Sequence, residues 1–344
     1  MVTAFGLLVI LFEIVLGMFF LHKDRDLYQN KVKDYPYLYY LFQQNDDTNE
    51  YGFKTQYSAE KPGGVYRIVL IGGSVARGRE PENSIATYLE KELKSVNEKL
   101  KFEVVNAGIS AFVIEQEFLL IQLVLQDFQP DLIISLDGYN DLLTYKLNLH
   151  DKPSFRLPPH NWQVFRVIAE NENQQKFLSR FIYFFRNITR MFDYFNRIGK
   201  QKSLDLMKIS ADELKQVNDT YWKIVADTRD FCEVKGIDYL HFLQPVKFYS
   251  FPGADYPENK YEDLLSRLYS LFDSSARLNQ FAHSLTPVLD ENEDLYLDQC
   301  HVKNTGHALL AAEMAVQINN RVLRKVNVAE SDTIFDSGNF FETE

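Results

Sequence analysis

Ser74, His301 and Asp298 are the residues of this chain whose types and spacing suit chemistry on an acyl group. A serine hydroxyl is a weak nucleophile until a base takes its proton, and imidazole is the side chain whose pKa suits that task near neutrality. The base in turn needs a carboxylate to hold its ring. Asp298 precedes His301 by three residues, near enough in a tight turn to meet Nδ1 and leave Nε2 aimed at a serine. A developing oxyanion needs fixed donors, which the backbone N–H groups of Ser74 and Gly108 and the side-chain amide of Asn140 can supply. Glycine at 108 would let the backbone come close to a substrate.

These residues sit in separate segments, so a scaffold must bring them together. The chain alternates continuously apolar runs with amphipathic ones. "YRIVLIGG" (66–73), "FEVVNAG" (102–108), "DLIISLDG" (131–138) and "GIDYLHFLQP" (236–245) read as buried parallel strands. Between them, 83–100 and 115–128 read as helices, and further helical stretches are expected at 173–198, 211–234, from about 261, and after His301. This order predicts an α/β domain, a three-layer α/β/α sandwich around a parallel sheet. In such sheets ligands bind beyond the carboxyl ends of the strands, where Ser74, Gly108 and Asn140 each follow a strand.

The same residues admit other readings. A nucleophile elbow of the Gly-x-Ser-x-Gly kind would need glycine where Ala76 stands. A phosphate-binding loop would end in Gly-Lys-Ser/Thr, and none follows. Taken alone, Gly108 serves a turn and Asn140 caps a helix. Seven histidines compete for the role of base, His22, His150, His160, His241, His283, His301 and His307, and His301 has a carboxylate at the required spacing. His241 falls in an apolar strand and is expected to be a core residue. Cys300, between Asp298 and His301, is assigned to packing.

The blocks "IGGS", "NAG", "GYND" and "DQCH" occur in the order and approximate spacing of the SGNH (GDSL-type) hydrolase superfamily, which this sequence resembles over residues 66–322. The resemblance implies a flavodoxin-like fold, Ser74 as nucleophile, His301 as base, Asp298 as its partner, and Ser74, Gly108 and Asn140 as the oxyanion hole. It implies no metal and no organic cofactor. Gly73 stands where many members carry aspartate, a departure outside the triad. The activity implied is ester hydrolysis, on O-acyl (acetyl) esters of envelope polysaccharide or on lipid esters. The same triad passing its acyl group to a sugar hydroxyl would make a transferase, and a non-catalytic scaffold on the same fold is the third reading.

The ends of the chain carry a different message. Residues 2–21 are about the twenty apolar residues that cross a hydrocarbon core as a helix, Glu13 being the one charge among them. No Ala-x-Ala-like cleavage site follows, so an uncleaved single-pass anchor is expected, the alternatives being a signal sequence cut at an unusual site or a helix packed on the domain. Lys23, Arg25, Lys31 and Lys33 after the span favour a cytoplasmic domain, whereas the family resemblance favours an extracytoplasmic one. Residues 22–65 read as a membrane-proximal connector, 66–324 as the hydrolase domain and 325–344 as an acidic tail. Segment 176–202 crowds aromatic residues among Lys176, Arg180, Arg186, Arg190, Arg197, Lys200 and Lys202, against the single Asp193, and suits a membrane surface or an ordinary solvated helix face. The net charge of −11 argues against nucleic acid as a partner. Cys232 and Cys300 form neither a disulfide framework nor a zinc spacing.

Overall fold

The computed structural model describes residues 32–35, 38–147, 210–252 and 260–323. They fall in two units. The smaller contains strands β1 (Val32–Tyr35) and β2 (Tyr39–Phe42), paired antiparallel with Tyr35 opposite Tyr39. Among the described residues the larger takes in 46–49, 53–147, 210–252 and 260–323, so 53–65, expected as the end of a connector, belongs with the domain.

The larger unit is built on five parallel strands, β3 (Val65–Gly72), β4 (Lys101–Asn106), β5 (Leu132–Asp137), β6 (Asp238–Leu243) and β7 (Ala282–Ser284). Their order across the sheet is β4-β3-β5-β6-β7. After β4 the chain crosses to the other side of β3, which makes the carboxyl ends of β3 and β5 the point where a crevice opens. Apolar residues at consecutive positions bury both faces of each central strand, and the register pairs Ile71 with Ser135 and Ser135 with His241.

The helices are α1 (Ser74–Arg77), α2 (Ile85–Val96), α3 (Ile114–Leu123), α4 (Tyr139–Leu147), α5 (Ala211–Val234), α6 (Lys247–Ser250), α7 (Lys260–Leu278) and α8 (Asn304–Ile318). On one face Ile68, Leu70, Ile134, Leu136 and Phe242 pack against Leu89 and Leu93 of α2 and Leu310 and Met314 of α8. Burying each of these side chains is worth about 1.5–3 kcal/mol. Helix α2 starts where Ser84 Oγ accepts from Thr87 N–H at 3.3 Å, and α5 starts with the reciprocal Ser210–Glu213 capping box. Helices α3 and α7 pack against α5 on the opposite face, completing three layers.

On that opposite face a buried polar chain crosses the core. His241 bonds Ser135 Oγ at 2.7 Å and Tyr221 OH at 2.9 Å, and Ser135 Oγ bonds Tyr239 OH at 2.7 Å. Burial pushes the His241 pKa down to about 3, so the ring is neutral and both its nitrogens are engaged. The core role expected for His241 is the one it has. At the amino end of the sheet the Arg67 guanidinium pairs with Glu103 at 2.7 Å and donates to the carbonyls of Ser58, Ala59, Glu60 and Phe128. It thereby ties residues 58–60 beneath β3.

No helix among the described residues is long and apolar enough to cross a membrane. The span expected over residues 2–21, the segment 176–202, the helix expected at 173–198 and the tail 325–344 lie outside the described residues.

Candidate active site

Strand β3 reaches its end at Gly72, whose φ of +146° and crowded surroundings admit no side chain. A Cβ there would lie 2.6 Å from the Leu136 carbonyl oxygen and 2.7 Å from Ala76 Cβ. The strand can therefore turn directly into α1, with Ser74 as its first residue. As the first residue of a helix, Ser74 has no intrahelical acceptor for its own N–H.

His301 reaches Ser74 from the far end of the sequence. Residues 296–302 form a tight loop closed by antiparallel pairing of Tyr296 with Val302 and by Leu297 N–H donating to His301 O at 2.8 Å. Inside it Asp298 Oδ1 accepts from the N–H groups of Cys300 at 3.0 Å and His301 at 2.8 Å. That leaves Oδ2 for His301 Nδ1, at 2.7 Å, and His301 Nε2 lies 2.7 Å from Ser74 Oγ. Burial raises the Asp298 pKa, and the two backbone donors and His301 more than offset it, holding the carboxyl below its usual value. The carboxylate is thus present across the neutral range. The loop is anchored to α8 where Val302 packs into the space left by Gly306, and α8 is tied in turn to the segment before α2, where His307 Nδ1 donates to Asn83 O at 2.9 Å.

Asn140 lies in the first turn of α4, and its Nδ2 donates to the Phe112 carbonyl at 2.8 Å. One amide proton is used there; the other remains for a substrate oxygen. The Phe112 carbonyl is set by a turn in which Phe112 N–H donates to Ile109 O at 3.1 Å and Ala111 holds a φ of +64°. A left-handed alanine costs about 1 kcal/mol or more, a local strain spent beside the site. Gly73 lets the amide in: a Cβ at 73 would stand 2.3 Å from Asn140 Nδ2.

Gly108 is placed differently from the expectation. Its N–H donates to Asn106 Oδ1 at 3.1 Å, and its bare Cα faces the Ala76–Arg77 backbone, 2.5 Å from Arg77 N for a Cβ built there. Its lack of a side chain serves the packing of the β4 loop against α1 rather than the approach of a ligand. Asn106, buried, completes this staple with Nδ2 donating to Arg77 O at 3.2 Å. Sequence reasoning passed over Asn106 and the Phe112 carbonyl. The first had a signal, an asparagine two residues before a glycine at a strand end; a backbone carbonyl has none. Asp141, read as structural, accepts from Ile114 N–H at 3.2 Å at the start of α3.

The thiol of Cys300 is buried, with Sγ 3.6 Å from His301 Nδ1. Burial, first, and the neighbouring Asp298 push its pKa well up, so it rests as a thiol.

No family description and no curated protein matches the chain. Among solved structures it is similar to LAE5, an alpha/beta hydrolase enzyme from the metagenome of Lake Arreo, Spain, at 14% identity and TM-score 0.42, covering 75% of this chain and 97% of that one. It is similar to the acetyl xylan esterase AlAXEase at 12% identity and TM-score 0.42, over 72% and 97% of the two chains. A variant of Axe2, an acetyl xylan esterase from Geobacillus stearothermophilus, aligns at 16% identity and TM-score 0.39, over 74% and 95%.

Proposed function

We propose that this chain is a serine ester hydrolase of SGNH type. The observation that carries the reading is the continuous hydrogen-bonded chain from Ser74 Oγ through His301 to Asp298, at 2.7 Å and 2.7 Å. In the proposed reaction His301 Nε2 takes the Ser74 proton as Oγ attacks an ester carbonyl, and Asp298 stabilises the imidazolium so formed. The oxyanion is met by Ser74 N–H and the second proton of Asn140 Nδ2. Gly108 N–H joins them only when its bond to Asn106 opens. His301 then protonates the departing alcohol, and water activated by the same nitrogen hydrolyses the acyl-enzyme.

The substrate proposed is an O-acyl ester, acetyl on an envelope polysaccharide or the acyl group of a lipid, following the resemblance of the four sequence blocks. Residues 2–21 are taken as the anchor that keeps the domain at a membrane, on its extracytoplasmic side. Hydrolysis of p-nitrophenyl acetate, butyrate and octanoate by the wild type, Ser74→Ala and His301→Ala tests the reading. Turnover that falls about a thousandfold or more in both variants is expected, and the preferred chain length selects acetyl or lipid esters. Turnover unchanged in Ser74→Ala refutes it.

A further inference from the structure

The turn that orients the base also gathers a second kind of donor set. A carboxylate oxygen of Asp298, Cys300 Sγ and a ring nitrogen of His301 lie within 4.8 Å of one another, a carboxylate, a thiol and an imidazole contributed by three residues of a four-residue stretch. We propose that this turn is an inhibitory binding site for a thiophilic divalent cation of the zinc or cadmium type, which silences Ser74 by taking Nδ1 of its base.

The geometry favours such an ion. Zinc bonds of about 2.3 Å to sulfur and about 2.0–2.1 Å to nitrogen, at a tetrahedral angle, separate the two ligands by about 3.6 Å. Cys300 Sγ and His301 Nδ1 stand 3.6 Å apart. Asp298 Oδ2 is now 2.7 Å from Nδ1, and tetrahedral ligation asks that it swing out by about 0.7 Å. The Asp298 side chain is 52% exposed, so it has room to do so and opens a path for the ion from solvent. Its other oxygen stays held by the N–H groups of Cys300 and His301, which orients the carboxylate for metal as it does for imidazole. A three-ligand set of this kind leaves the fourth position to water.

The chemical consequence follows from the tautomer. In the metal-free triad Nδ1 carries a proton that Asp298 accepts, and Nε2 has the lone pair that faces Ser74. When the ion occupies Nδ1, the proton displaced from it is replaced on Nε2 and the thiol proton passes to water, so one proton is released per ion bound. Nε2 then donates instead of accepting, and Ser74 has no base. The inhibition rests on the esterase reading; the site itself does not.

The experiment separates the two. The full chain, stripped with chelator, is titrated with Cd²⁺ as the Ser74→Ala variant, following the near-ultraviolet thiolate-to-cadmium charge-transfer band. A band saturating at one ion per chain is expected, lost in Cys300→Ala and, in His301→Ala, where the thiol remains, weakened in affinity by at least the roughly 10- to 100-fold that losing an outer-shell partner costs. In parallel, Zn²⁺ is titrated into ester hydrolysis by the wild type and Cys300→Ala, each normalised to its own metal-free rate. Chelator-reversible inhibition that needs about tenfold or more Zn²⁺ in Cys300→Ala supports the site. No band, a band that disappears with Cys232→Ala instead, or inhibition of equal potency without Cys300 overturns it. A Cys300-dependent band with no ester turned over by the wild type leaves the metal site standing and removes the esterase.

Discussion

Glu117 on α3 and Asp137 at the end of β5 are 1% and 3% exposed, and no donor from elsewhere reaches either oxygen of Glu117 or Oδ2 of Asp137. Two carboxyl groups so placed cannot both ionise, and the hydrogen between them must be a proton of their own. Burial, above all, and then Asp137 raise the Glu117 pKa well above the usual value. Burial raises Asp137 to about 8; its hydrogen bond with Glu117 offsets part of the rise, and the charges of Asp141 and Glu115 add to it. A carboxyl whose folded pKa exceeds its unfolded one keeps a proton that the unfolded chain has released. For Asp137, stability therefore falls as pH rises from about 4 to about 8, and Glu117, raised as well, contributes a fall of the same sign. For Asp137 the interval from 3.8 to about 8, at about 1.4 kcal/mol per unit, sets a ceiling of about 6 kcal/mol. Structural relaxation and water entry will bring the measured value to a few kcal/mol. Asp137→Asn removes the Asp137 titration and leaves an acceptor for the proton of Glu117, whose own rise, chiefly from burial, persists in both proteins. Urea unfolding followed by tryptophan fluorescence at pH 5 to 9 should show the variant close to wild type at pH 5 and more stable by about 2–5 kcal/mol at pH 9. Parallel pH profiles for the two proteins would refute the shared proton.

Two further substitutions probe the scaffold and the site. Arg67→Met strands the buried Glu103 carboxylate and should cost about 3–5 kcal/mol in denaturant unfolding, with Arg67→Met/Glu103→Leu recovering most of it; equal losses in the single and double variants would show that the pair itself was not the issue. Gly73→Ala places a methyl 2.3 Å from Asn140 Nδ2 and should lower kcat about 100-fold with KM little changed, and adding Asn140→Ala should cost nothing more, because both remove one oxyanion donor. Additive losses in that cycle would detach Gly73 from Asn140.

Much of the sheet was legible because its strands are buried on both faces. The runs at 131–138 and 236–245 contain β5 and β6, and those at 66–73 and 102–108 cover β3 and β4 but for the first residue of each, all bounded within a few residues by a turn signal. Strand β7 was not legible: "AHS" is three residues long, too short to show a period, and exists because it pairs beside β6. The helix read over 115–128 divides into α3 and a short 3-10 turn at Leu125–Phe128, since nothing in an apolar run says where helical hydrogen bonding tightens. At the site, side chains with chemical signatures could be picked out one by one, Ser74, Asn140, Asp298 and His301 among them. What those signatures do not contain is competition for a donor, and so the capture of Gly108 N–H by Asn106 was missed. The Glu117–Asp137 pair was hidden for a related reason: two acidic residues twenty positions apart look like surface until the fold buries both.

The claim on which the rest depends is that Ser74 is an activated nucleophile. Intact-protein and peptide mass spectrometry after exposure to a fluorophosphonate measures this without any assumption about substrate. One phosphonyl group per chain, on the peptide bearing Ser74, absent in Ser74→Ala and slowed about a thousandfold in His301→Ala, is the expected result. A wild-type chain that remains unlabelled, or is labelled at the same rate without His301, would contradict the account.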